Sequence, residues 1–134
     1  MFFEKLFLAK LFVFFVITAT GYGENLVFEN RTSYPSKKAQ MAIQWANTAK
    51  EVVDENNAVI YGKLNPASMQ VLSQGGQINI SIPKQAEYFR VLVWSKEGKE
   101  PDLLTNWVDV IPNKIYTLQQ DHLIPSVLMA GTGC

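Results

Sequence analysis

The chain has 134 residues, with 12 Lys+Arg against 12 Asp+Glu, one His and one Cys. That is the length of one domain, and a formal charge of zero gives no basic footprint for nucleic acid. Hydrophobic residues at 48% and charged residues at 18% exclude a disordered chain, and a lone Cys with a lone His excludes an internal disulfide and a multi-His metal cluster.

Residues 1–23 read as a secretory signal peptide. Lys5 and Lys10 make a positive start, Leu11 to Ile17 is an unbroken apolar run, and the small residues Thr18, Ala19, Thr20 and Gly21 follow. Gly21 and Gly23 suit the two positions sensed at cleavage. The run is short of the about 20 apolar residues that a spanning helix needs, so no integral membrane span is expected after cleavage. The alternative is an uncleaved anchor. No Cys follows the run, so a bacterial lipid anchor is not indicated. Loss of Lys5, Lys10 and Glu4 leaves a mature chain with one more acid than base.

In the mature chain, Asn25 to Asn30 suits a short strand, and Thr32 to Ser36 is a turn-rich link. Residues 36–55 carry a helical period. Ala39, Ala42, Trp45, Ala46, Ala49, Val52 and Val53 fall on one side, and Gln40, Gln44, Asn47, Thr48, Glu51, Asp54 and Glu55 on the other. Ser33 or Ser36 would cap this helix, and Asn56-Asn57 would stop it. A competing strand through Met41, Ile43 and Trp45 leaves Ala42 and Ala46 unexplained. Strands are then expected at Ala58–Leu64, Met69–Ser73, Ile78–Ile82, Phe89–Trp94, Trp107–Ile111 and Ile115–Leu118, with a tight turn at Gln74-Gly75-Gly76. Residues 123–134 are expected to be a loose tail.

This order predicts a single α+β domain over residues 24–122. One amphipathic helix, about 36–55, packs on an antiparallel sheet of five or six strands. The alternative is a β-sandwich with a peripheral helix. The order resembles the cystatin-like arrangement in topology. Gln70-Val71-Leu72-Ser73-Gln74-Gly75 departs from the Gln-x-Val-x-Gly spacing of that family's inhibitory motif, so the resemblance implies a fold and no activity.

The candidate binding surface is a hairpin from Phe89 to Ile111. Pairing Trp94 with Trp107 sets Val93 opposite Val108 and Val91 opposite Val110, with these valines in the core. Trp94, Trp107, Leu92, Arg90 and Asp109 then share the open face, where two indoles can grip an apolar side chain or stack on a sugar. The loop Ser95–Asp102 has five charged residues among eight. Its carboxylates lack the dry, fixed pocket that hydrolysis requires, so it reads as a solvated tip. His122 and Cys134 would be the only nucleophile–base pair, but glycines and the tail separate them. Cys134 is instead a candidate intermolecular thiol. Asn30-Arg31-Thr32 and Asn79-Ile80-Ser81 match the glycosylation acceptor pattern.

No catalytic, metal or cofactor residues are expected. The expected function is that of an exported, non-enzymatic domain that binds another protein, as an accessory part of a cell-envelope or secretion assembly. A glycan or small-ligand binder using the same tryptophans is one alternative. A secreted inhibitor or effector contacting its target through residues 95–106 is another.

Overall fold

Period-two alternation of large apolar side chains builds most of the structure. The computed structural model describes residues 24–129, so the expected signal peptide and Cys134 lie outside the described residues. In chain order the elements are β1 (Asn25–Asn30), β2 (Gln40–Ala46), α1 (Ala49–Tyr61), a 3-10 turn at Pro66–Ser68, β3 (Met69–Leu72), β4 (Gly76–Ser81) and β5 (Tyr88–Trp94). There follow β6 (Leu103–Leu104), β7 (Val108–Asp109), β8 (Ile115–Leu118), a 3-10 turn at Gln120–His122, β9 (Ile124–Pro125) and α2 (Ser126–Met129).

One sheet has the order β4-β1-β8, and the larger has the order β3-β2-β5-β6-β9 with β7 also on β5. Every pairing is antiparallel except β1 with β8. The two sheets share one apolar core. Leu26 and Phe28 of β1 and Ile80 of β4 meet Met41, Ile43 and Trp45 of β2 and Phe89, Val91 and Val93 of β5. Each such side chain, fully buried, is worth about 1.5–3 kcal/mol. The opposite face of β2 and β5 carries Ala42, Gln44, Arg90 and Leu92, all at 1% exposure or less. The helix α1 covers that face, with Val59 packed on Leu92 and Leu104.

The protein is therefore an α+β domain with one main helix on a mostly antiparallel sheet. A second, smaller sheet closes the other face, so the peripheral-helix sandwich describes part of the same architecture. The single sheet of the cystatin-like order is not what forms.

The helix is displaced from its expected place. Residues 40–46 are a strand, and the helix runs over Ala49–Tyr61. The alanines that matched a helical period are small because a sheet position beneath a helix must be small. Thr48, not Ser33 or Ser36, is the N-cap, accepting from the Glu51 N–H at 3.1 Å. Asn56-Asn57 does not stop the helix but lies within it. Residues 58–61, expected as a strand, form its last turn. Gly62 ends it at φ +67°, a left-handed C′ position that suits glycine.

Other expectations stand closer to the structure. Strands form at 25–30, 69–72, 76–81, 88–94 and 115–118. The Gln74–Gly76 turn links strands of different sheets. Within the expected tail, β9 and α2 form, tied by the Ser126 N–H to the Asp102 carbonyl at 2.9 Å and by the Ser126 Oγ–H to the Pro101 carbonyl at 2.8 Å.

Candidate functional site

The hairpin of β5 exists, but its register differs from the expected one. Pairing Trp94 with Trp107 would set Leu92 opposite Asp109 and Val93 opposite Val108. Instead Leu92 faces Leu104 and Val93 faces Leu103, while Phe89 faces Val108. Between these pairs, Thr105, Asn106 and Trp107 span only Arg90 and Val91, which is a bulge. Thr105 secures it: its N–H donates to the Val91 carbonyl at 3.0 Å, and its Oγ1 accepts from the Val91 N–H at 2.9 Å.

The bulge turns Trp107 onto Arg90. The guanidinium carbon lies 4.5 Å from the indole centroid, a cation–π contact. Arg90 and Leu92 are 0% exposed, because the face expected to be open lies under α1. Arg90 Nε donates to Gln44 Oε1 at 2.8 Å, and its two terminal nitrogens donate to Asn56 Oδ1 at 2.9 Å and to the Glu55 carbonyl at 3.1 Å. Trp107 Nε1 donates to the same Asn56 Oδ1 at 2.9 Å. Gln44 Nε2 completes the network by donating to Glu55 Oε1 at 2.7 Å. No carboxylate forms a contact ion pair with Arg90 among the described residues.

Desolvation pushes Arg90 down to about 10, and the nearby Glu55 charge opposes the fall. The guanidinium stays charged at neutral pH. Its lowered value makes burial a cost to the native state below about pH 10, which the surrounding acceptors must offset.

The remaining expected site residues lie apart. Trp94 is half-buried at the other end of β5, packed on the Val59, Leu92 and Leu104 cluster. Its Nε1 donates to the Lys99 carbonyl at 3.2 Å. Asp109 is exposed and serves through its backbone, since its carbonyl accepts from the Tyr116 hydroxyl at 2.5 Å. That hydroxyl accepts from the Ile111 N–H at 2.9 Å. Asp102 ties the loop after β5: Ser95 donates to it from its N–H at 2.7 Å and from its Oγ–H. Burial works against ionisation of Asp102, but these bonds outweigh it and hold its carboxyl below the ordinary value.

Tyr116 is a measurable node. Burial pushes its phenol up, the Ile111 N–H works the other way, and the Asp109 charge adds to the rise. A raised native value means the protonated phenol stabilises the fold below the unfolded value of about 10 and loses that effect as pH rises through the native value. Tyr116→Phe is expected to cost about 1 kcal/mol at neutral pH. In urea titrations from pH 7 to 11.5 the gap from the parent protein narrows above about pH 10; a gap that stays constant contradicts this role.

Sequence reasoning missed a cleft where the sheets splay beside β8. It has a volume of about 490 Å³. Phe28, Phe89, Val91 and Ile124 give it an apolar wall, and Thr105, Thr117, Asp121 and His122 a polar rim. His122 Nδ1 accepts from the Gln119 N–H at 3.0 Å, so the neutral ring carries its proton on Nε2. Beside the cleft, β8 is an edge strand among the described residues. The Lys114 carbonyl accepts from Val27 of β1 and the Leu118 carbonyl from Arg31 just past it, so by alternation Ile115 and Thr117 turn their backbone groups to the open side. The lining comes from separated segments; the strands that carry Phe28, Phe89, Val91 and Thr117 were legible in the sequence, but their meeting around one cleft was not.

The two glycosylation matches sit differently from each other. Asn30 is 6% exposed and its Nδ2 donates to the Tyr34 carbonyl at 2.7 Å, whereas Asn79 lies exposed on β4. Among the described residues, no group of three or more His, Cys, Asp or Glu side chains is placed to hold a metal ion, and no helix is long and apolar enough to cross a membrane. No protein-family model matches the chain, and no curated protein matches it significantly.

Proposed function

We propose that this is an exported, non-catalytic domain that binds an extended segment of another polypeptide along β8, as an accessory part of a cell-envelope or secretion assembly. One observation carries the reading: a strand edge left open among the described residues borders an apolar cleft with a polar rim. A strand added to such an edge gains main-chain hydrogen bonds, and alternate side chains enter the cleft beside it. A segment of a protein suits this better than a small ligand, because the open backbone groups of Ile115 and Thr117 repeat at strand spacing. Export rests on residues 1–23, whose pattern is that of a signal peptide.

The test is site-directed photo-crosslinking in native extract. A benzophenone side chain at Ile115 is expected to capture one polypeptide, and the same group at Val53 on α1 is not. Thr117→Pro removes one open-edge N–H at a position where an edge strand tolerates proline, and Val108→Arg fills the rim of the cleft. Both variants should fold and lose the crosslink. Full crosslinking in either folded variant contradicts the reading.

A further inference from the structure

We propose that the groove at the end of the larger sheet binds an acidic carbohydrate, with the Trp94 indole as stacking platform and Lys37, Lys38, Lys96 and Lys99 as its charge. The groove lies away from the β8 cleft and shares no residue with it. It does not depend on the peptide-binding reading.

Sheet register brings the two walls together. Gln40 at the start of β2 pairs with Trp94 at the end of β5. The turn before β2 and the loop after β5 therefore project from the same end of the sheet. Lys37 and Lys38 stand on the first wall, and Lys96 and Lys99 on the second. All four are exposed, and none pairs with a carboxylate among the described residues. The sequence shows a loop of mixed charge, but the fold sorts it. Asp102 accepts from Ser95 and attracts Lys96 in part, and Glu100 is turned to the end of α1, where its carboxylate lies against Gly62. Glu97 alone remains as an acid in the groove. A chain with zero formal charge thus presents a local surplus of cations, which concentrates anions at that spot.

The aromatic group decides the kind of anion. Trp94 is half-buried, and its Nε1–H is already committed to the Lys99 carbonyl, so the indole is fixed and offers its ring rather than its donor. A fixed indole in an open, hydroxyl-lined groove suits the apolar face of a sugar ring. Ser36 and Gln40 line the same groove and supply hydroxyl and amide partners for sugar hydroxyls. An acidic peptide would use the lysines but not the ring, and a lipid surface would need exposed apolar residues that the groove lacks.

The experiment is a titration of the 15N-labelled mature protein, followed by NMR, with a heparin-derived hexasaccharide and separately with a galacturonate hexamer. The Trp94 indole resonance and the amides of residues 36–40 and 95–99 are expected to shift with at least one of them. The joint variant Lys37→Gln, Lys38→Gln, Lys96→Gln and Lys99→Gln should weaken binding at least tenfold, and added salt should weaken it in the parent. Trp94→Phe keeps the packing and a ring, so it should retain most binding, while Trp94→Leu should lose it with the β8 amides unchanged. The proposal is overturned by no shift at millimolar sugar with either oligomer. It is equally overturned if a hexaglutamate peptide or phosphatidylglycerol vesicles move the same resonances with equal or greater affinity. Equal binding by Trp94→Leu also overturns it, since charge alone then accounts for the effect.

Discussion

Arg90→Ala should destabilise the protein by about 3–5 kcal/mol, the range for truncating a large buried side chain, with acceptors left unpaired as well. The side chain is 0% exposed and joins β5 to the helix through Gln44, Asn56 and the Glu55 carbonyl. Its loss strips the partner from Gln44 Oε1 and opens a cavity under α1. The helix has little else to hold it, because Val59 is its only fully buried residue. Hydrogen exchange should therefore show α1 losing protection well before β2 and β5. Arg90→Met keeps the volume and removes the buried charge, so it should cost less than Ala; a hydrophobic replacement removes the desolvation penalty along with the bonds. Urea unfolding of both variants checks this. A loss under about 1 kcal/mol for Arg90→Ala, with α1 exchange unchanged, would show that the network does not dock the helix.

Phe28→Ala should cost a similar amount, about 3–5 kcal/mol, through lost transfer energy and a cavity between the sheets. Phe28 is 1% exposed and belongs to the shared core. It also forms part of the apolar wall of the β8 cleft, so truncation deepens the cleft as it weakens the sandwich. Phe28→Leu preserves most of the volume and should stay under about 1.5 kcal/mol. Denaturant midpoints for the pair measure the difference, and equal midpoints would mean that the sheets do not pack through this residue.

The two variants probe different kinds of information in the chain. Phe28 was legible in part: Leu26 and Phe28 sit two apart, at strand period, in the segment Asn25–Asn30 that the sequence marks as a strand. Ile78, Ile80 and Ile82 were legible for the same reason. Arg90 was not. Charged residues are rarely buried, so a lone Arg in an apolar strand reads as a residue of the open face. The partners that make its burial possible, Gln44, Glu55 and Asn56, lie in two other elements.

The helix failed in the sequence for a related reason. In β2, positions 41, 43 and 45 meet the other sheet, while positions 42, 44 and 46 meet α1. A strand covered on both faces loses its polar alternation. The small residues required under the helix then mimic a helical period with Ala39 and Ala49. Downstream, Asn56-Asn57 looked like a stop and Val59-Ile60-Tyr61 like a strand. Tertiary bonds to Asn56 and the packing of Val59 override both local preferences.

For the surface, the outcome divides in the same way. Trp94 and Trp107 were singled out as a pair sharing one open face, but that pairing depended on a register that Thr105 and its bulge shift. A bulge changes the face of every residue beyond it, and nothing in residues 103–109 announces one. The sequence by itself determined the α+β composition and five of the strands, since these depend on local period and residue type. Tertiary structure alone decided the division into two sheets, the position of the helix, the burial of Arg90 and the cleft beside β8. Each of those depends on which distant segments meet, and a side chain's neighbours across a sheet or beneath a helix are fixed by packing of the whole chain, not by the residues beside it in sequence.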